Sequence, residues 1–181
     1  KIMVDIDRNE LHKINVRPDI AICADALTFM KALIKRKDEI ITIDKKEWFS
    51  YCDKVRNKYP LISKEYYETE EVNTYLLVDK ISEEMSENDI YVSGSSGSCI
   101  EISMQGFKVK AGQRVFTTKG LASMGYGLPS TIGAALASNR RKVVCVNGDG
   151  GFQMNIQELQ TIKRLNLPVK IFVLNNAGYA A

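Results

Sequence analysis

The 181-residue sequence predicts an α/β fold, a parallel sheet with helices on both faces, preceded by a short α/β remnant and a linker. Three observations near the end of the chain carry that expectation. Val143, Val144, Cys145 and Val146 form an uninterrupted apolar run of strand length, as a central parallel strand buried on both faces requires. Phe152, Ile156, Leu159, Ile162 and Leu165 then recur every three or four residues, which marks a helix with one buried stripe. Residues 169–174 supply another strand once Pro168 has ended that helix, so the unit reads as a β-α-β crossover.

From the start of the chain, the alternation over residues 2–6 predicts a strand and residues 19–23 a second one. Ala26, Phe29, Met30, Leu33 and Ile34 then mark a helix. This opening, residues 1–37, is too small for a core of its own and reads as the remnant of a preceding domain. Residues 38–71 are polar and aromatic, with a helix around 48–59 that stops at Pro60, and read as a linker. Residues 72–181 make the principal domain. There the spacing predicts a helix over 72–85, a strand over 90–92 running into Ser93-Gly94-Ser95-Ser96-Gly97, and a helix over 98–105. A strand near 114–117 and a glycine-punctuated helix over 127–137 lead to the crossover already described.

Composition narrows the functional classes. Lys and Arg number 25 against 22 Asp and Glu, and the two signs alternate, as in Lys35-Arg36-Lys37-Asp38-Glu39. Such runs are solvated helix faces and turns, so no nucleic-acid partner is expected. No apolar run approaches the ~20 residues of a bilayer span, and no basic-then-apolar leader opens the chain, so no membrane partner is expected and cytoplasm is the expected compartment. Cys23, Cys52, Cys99 and Cys145 form no C-x-x-C pair, which predicts reduced thiols rather than zinc or a disulfide framework. His12 lies in a polar stretch and is expected at the surface. The chain opens inside a strand pattern and stops at Ala181, so both ends are expected to be cut from something longer.

Two polar clusters follow the crossover strands: Asn147-Gly148-Asp149-Gly150-Gly151 after the first and Asn175-Asn176-Ala177-Gly178 after the second. Parallel strands joined by a crossover bring both carboxyl ends to one sheet edge, where doubly wound folds bind ligands. Neighbouring strands lie about 4.8 Å apart, so Asp149 and Asn176 can reach one ion. The glycines after Asp149 let backbone N–H groups approach an anion, and a helix beginning near Phe152 would aim the positive end of its dipole there. An aspartate inside a phosphate loop repels a diphosphate unless a cation lies between them. A carboxylate, an amide and a carbonyl are oxygen donors, which suit magnesium better than zinc. Two other readings stay open. Gly-Asp-Gly can be an ordinary turn and Asn-Asn a loop satisfying its own backbone. A nicotinamide-type fingerprint shares Gly148-x-Gly150, although Gln153 stands where its third glycine belongs.

Gly148-Asp149-Gly150 followed by Asn175-Asn176 resembles the thiamin diphosphate-binding signature. Residues 151–159 and Asn166-Leu167-Pro168-Val169-Lys170 look very like acetolactate synthase and its relatives, and so does the stretch from Gly120-Leu121-Ala122-Ser123-Met124-Gly125 to Ala134. The resemblance covers essentially the whole chain. It implies the thiamin diphosphate-binding fold, truncated, with residues 1–37 as the end of the middle domain. By resemblance, Asp149 and Asn176 would ligate Mg2+ by side chain and Gly178 by its carbonyl. Gly148, Gly150 and Gly151 would lie on the diphosphate, with Gly97, Ser98 and Cys99 on its other side. Met124 would prop the bent coenzyme between its rings, and the main chain at Ala122 and Met124 would bond the aminopyrimidine.

The same resemblance implies an enzyme that decarboxylates a 2-oxo acid and transfers the acyl-carbanion equivalent to an acceptor, the coenzyme supplying the electron sink. It implies a homo-oligomer with the site between subunits. The glutamate that activates the coenzyme belongs to a neighbouring subunit's N-terminal domain; no residue here matches it, so no catalytic residue is assigned and the fragment alone is expected to be inert. Family synthases carry Gln-His where this chain has Ser98-Cys99, and Asn176-Ala177-Gly178-Tyr179 is closer to 2-oxo-acid decarboxylases and to acetolactate synthase-like proteins of surface-polysaccharide pathways. A simple decarboxylase is therefore the alternative within the family. A non-catalytic nucleotide- or phosphate-binding module is the alternative outside it.

Overall fold

The computed structural model describes residues 1–13, 17–41 and 43–179. It resolves into two compact units, Lys1–Arg56 and Asn57–Ala181.

In the first unit, β1 (Ile2–Asp5) pairs in parallel with β2 (Ile20–Cys23), Ile2 standing opposite Ile20. Helix α1 (Ala26–Lys35) starts where it does because Asp25, in extended conformation, accepts the Thr28 N–H and satisfies one of the helix's orphan donors. Helix α2 (Lys46–Lys58) stops two residues short of Pro60, whose ring disfavours helical geometry at Tyr59. Neither helix buries a residue, and Leu11 is the one buried apolar side chain among the described residues of this unit.

The second unit contains α3 (Thr74–Glu84), β3 (Ile90–Ser93), α4 (Gly97–Gly106), β4 (Arg114–Phe116), α5 (Gly127–Ala137), β5 (Val143–Gly148), α6 (Asp149–Gln153), α7 (Glu158–Arg164) and β6 (Val169–Leu174). Its four strands lie in the order β4-β3-β5-β6, every pair parallel. Alternation along the strands sends Tyr91, Val144 and Val146 to one face, where Ile81, Met85 and Cys99 meet them. Ile90, Val92 and Val143 go to the other, against Ile132, Ala135 and Leu167. Helices α3 and α4 therefore cover one face of the sheet and α5 with α7 the other, the arrangement expected from the sequence. Among the described residues no helix is long and apolar enough to cross a membrane.

One expectation needs correcting. The single helix read from Phe152 to Leu165 is two short helices, α6 and α7, separated by turns at residues 154–157. In the break the backbone tightens to i to i+3 hydrogen bonds, Asn155 to Phe152 at 3.4 Å and Glu158 to Asn155 at 2.9 Å. The tightening shifts the phase between the two halves, so no common apolar stripe survives. Ile162 and Leu165 pack on the second core face, while Ile156 is 48% and Leu159 37% exposed.

Candidate functional site at the carboxyl edge of the sheet

An open cleft of ≈ 1120 Å³ lies at the carboxyl ends of the strands in the second unit, where β5 and β6 deliver the two polar clusters. Strands β5 and β6 are direct neighbours in parallel register, with Asn147 opposite Val173 and Gly148 opposite Leu174. The residues following them thus leave the sheet side by side. Asp149 opens α6, and one of its carboxylate oxygens, Oδ1, accepts the Gly150 N–H at 2.8 Å. After β6 the chain turns on itself: Asn175 Oδ1 accepts the Ala177 N–H at 3.0 Å, with Ala177 at φ +59.

That turn aims Asn176 at Asp149. One end of the Asn176 carboxamide lies 3.2 Å from Asp149 Oδ1 and 2.7 Å from the Gly178 carbonyl oxygen. With nitrogen at that end, the amide donates to both oxygens and the three groups are cross-linked. With oxygen there, three oxygens face one another, and the Gly178 N–H donates to the amide oxygen at 3.3 Å. Three converging oxygens repel unless a cation is shared. Oxygens on adjacent vertices of a magnesium octahedron are about 2.9 Å apart, a value that 2.7 and 3.2 Å bracket. In that orientation the donors, a carboxylate, an amide oxygen and a carbonyl, are of the oxygen kind magnesium takes. Among the described residues no group of three or more His, Cys, Asp or Glu side chains could hold an ion, and a set of one carboxylate, one amide and one carbonyl is of a different kind.

The remaining candidates divide by position. Gly148, Asp149, Gly150, Gly151, Asn176 and Gly178, from the two strand-end clusters, line the cleft, and so do Ser98 and Met124, which the resemblance had named. Gly97 and Ala122 are exposed but not part of the lining, and Ala122 sits at φ +49. Cys99 is not brought to the cleft. Its side chain is fully buried in the first core face, its N–H donates to the Ser96 carbonyl, and burial raises the thiol pKa, with the Ser96 hydroxyl opposing. Ser96 makes no side-chain cap to α4, so the N–H groups of Gly97 and Ser98 in its first turn remain available to a ligand.

Adding a Cβ tests which glycines the fold itself demands. At Gly150 it would run into the Tyr179 ring, and at Gly151 it would lie 3.2 Å from Asn147 Oδ1. At Gly97 and Gly178 it would meet nothing within 4 Å, so the room there is open to a ligand. Tyr179, Ser95, Ser96 and Asn147 also line the cleft; the sequence placed them in or beside the motifs but gave none of them a site role. The serines were visible in the loop after β3. Asn147, 2% exposed, fills the gap between Gly94 and Gly127, and its Nδ2 finds no hydrogen-bond partner among the described residues. Nothing in the sequence announced that packing.

Fold and site together define an α/β domain with an open polar cleft at the carboxyl edge of a parallel sheet. Residues 95–181 match the family model described as the thiamine pyrophosphate enzyme, C-terminal TPP binding domain. The chain is 34% identical over 178 residues to acetolactate synthase 2, chloroplastic, of Nicotiana tabacum, covering 97% of this chain and 26% of that protein. It is 33% identical over 178 residues to acetolactate synthase, chloroplastic, of Arabidopsis thaliana, covering 97% and 26%. The chain belongs to the thiamin diphosphate-dependent, acetolactate synthase-like enzymes and carries their C-terminal coenzyme-binding domain. It spans about a quarter of the length of the curated relatives it matches.

Proposed function

We propose that this chain holds the magnesium ion and diphosphate of thiamin diphosphate in an enzyme that decarboxylates a 2-oxo acid and passes the acyl unit to an acceptor. Asp149 and Asn176 ligate the ion by side chain and Gly178 by its carbonyl. Gly150 and Gly151, with Gly97 and Ser98 opposite, offer backbone N–H groups to the diphosphate. The coenzyme has one charged end and one ring half. Met124, apolar and 44% exposed, lines the same cleft as the diphosphate loop and takes the ring half. When bound, the coenzyme supplies the electron sink that loss of carbon dioxide requires.

The observation that carries this reading is that Asp149 Oδ1 and the Gly178 carbonyl oxygen both lie within 3.2 Å of the Asn176 amide. Cys99 contributes by packing rather than by contact with the phosphates. The family resemblance adds a homo-oligomer and an activating glutamate from a neighbouring subunit, and for that reason the segment alone has no turnover in this proposal. Calorimetric titration of the full-length protein carrying this segment, with thiamin diphosphate and Mg2+, tests the reading. Outer-shell partners of a metal are worth about 10- to 100-fold, so replacing two direct ligands, Asp149→Ala with Asn176→Ala, should weaken coenzyme binding by more than about 100-fold. Binding that survives both changes, or binding of a nucleotide with no metal requirement, would favour a metal-free phosphate module instead.

A further inference from the structure

Between α6 and α7, where the apolar spacing would have continued a helix, the chain breaks at Asn155. Its side chain takes up a distant partner: Asn155 Nδ2 donates to the Gly125 carbonyl at 2.7 Å, across 30 residues of sequence. Gln157 Nε2 lies 3.5 Å from Asn155 Oδ1, which orients the amide with its nitrogen toward Gly125. Gly125 is buried at φ +85, where an L side chain is strained. A Cβ there would also lie 2.5 Å from Asn155 Nδ2 and 3.3 Å from Met154 Cβ. The contact is therefore close on both sides, and it joins two segments of different duty. Gly125 directly follows Met124, while Asn155 follows the helix that Asp149 opens.

We propose that Asn155 is a positioning residue that sets the ring-facing loop at Met124 in register with the diphosphate loop at Asp149 to Gly151. The inference rests on the function proposed above and adds to it the residue that spaces the two halves of the coenzyme site. Asn155 is not among the residues that line the cleft. It acts through the Gly125 carbonyl, and the break in the helix frees its side chain to do so.

Because the strut supports only the loop on the ring side, its loss should separate two ligands that share a diphosphate. The full-length protein is titrated with thiamin diphosphate and, separately, with inorganic diphosphate, each at saturating Mg2+. One net hydrogen bond is worth roughly a five- to tenfold change in affinity. Asn155→Ala should weaken thiamin diphosphate by about that factor and leave inorganic diphosphate within about twofold. Asn155→Ser, which keeps turn chemistry but falls short of Gly125, should behave alike and serves if the alanine variant folds poorly. Equal losses for both ligands, or no loss for either, in a protein that binds both when unaltered would overturn the strut and leave the proposed function standing. Failure of the unaltered protein to bind either ligand would remove both.

Discussion

Five of the six residues of β5 are buried, whereas β6, hydrogen-bonded to it in unbroken register, leaves Phe172 37% and Val173 40% exposed. The two strands carry the two halves of the site, so its halves are held by different forces. Asp149 sits at the end of a strand packed against helices on both faces, and its position follows from the core. Asn176 sits at the end of the outer strand of this sheet, and its position follows from register with β5 and from the hydrogen bonds of its own turn. The difference teaches that a site can join a rigid half to a half set by local bonds.

The largest expected effect sharpens the contrast through a titrating group that only β5 buries. Cys145 is fully buried, and burial pushes its thiol up from 9.0 to about 11, against a hydrogen bond from Thr131. Above pH 9 the unfolded chain gives up this proton while the native state keeps it. Stability is then whole below pH 9 and falls toward pH 11, by up to about 3 kcal/mol. Urea unfolding across that range checks it, and Cys145→Val should lessen the slope, leaving the part due to the raised thiol of Cys99; an unchanged slope would deny that β5 is dry.

Next comes truncation on the two strands. Val146, fully buried, meets Phe172 across the ladder, and Val173 is the following residue on β6. Val146→Ala should cost about 2 kcal/mol, and Val173→Ala less than about 1 kcal/mol, in denaturant midpoint experiments. Equal costs would break the comparison. The smallest effect belongs to the turn after β6. A Cβ at Gly178 meets nothing within 4 Å, so Gly178→Ala should leave stability within about 0.5 kcal/mol, as thermal unfolding without coenzyme would register.

Much of this architecture was legible because burial on two faces and burial on one leave different local signatures. The run Val143 to Val146 has the length and apolar continuity expected of a central strand, and the polar clusters behind it and behind residues 169–174 then emerge on one edge. The helix bounds at Gly127–Ala137 were readable to the residue. Cys99 was not. Successive residues on a helix diverge by roughly 100°, so its adjacency to Ser98 in sequence puts the two on different sides, one lining the cleft and one in the core.

By itself the sequence determined the class of fold, the pairing of Asp149 with Asn176 and the family, since strand length, alternation and motif spacing are local properties that survive without coordinates. Only the tertiary structure decided that the expected helix breaks at Asn155, that this side chain seeks the Gly125 carbonyl, and that Asn147 wedges between Gly94 and Gly127. Each of these joins residues far apart in the chain. Which distant backbone group a polar side chain satisfies depends on what packing brings within about 3 Å, and no periodicity encodes that.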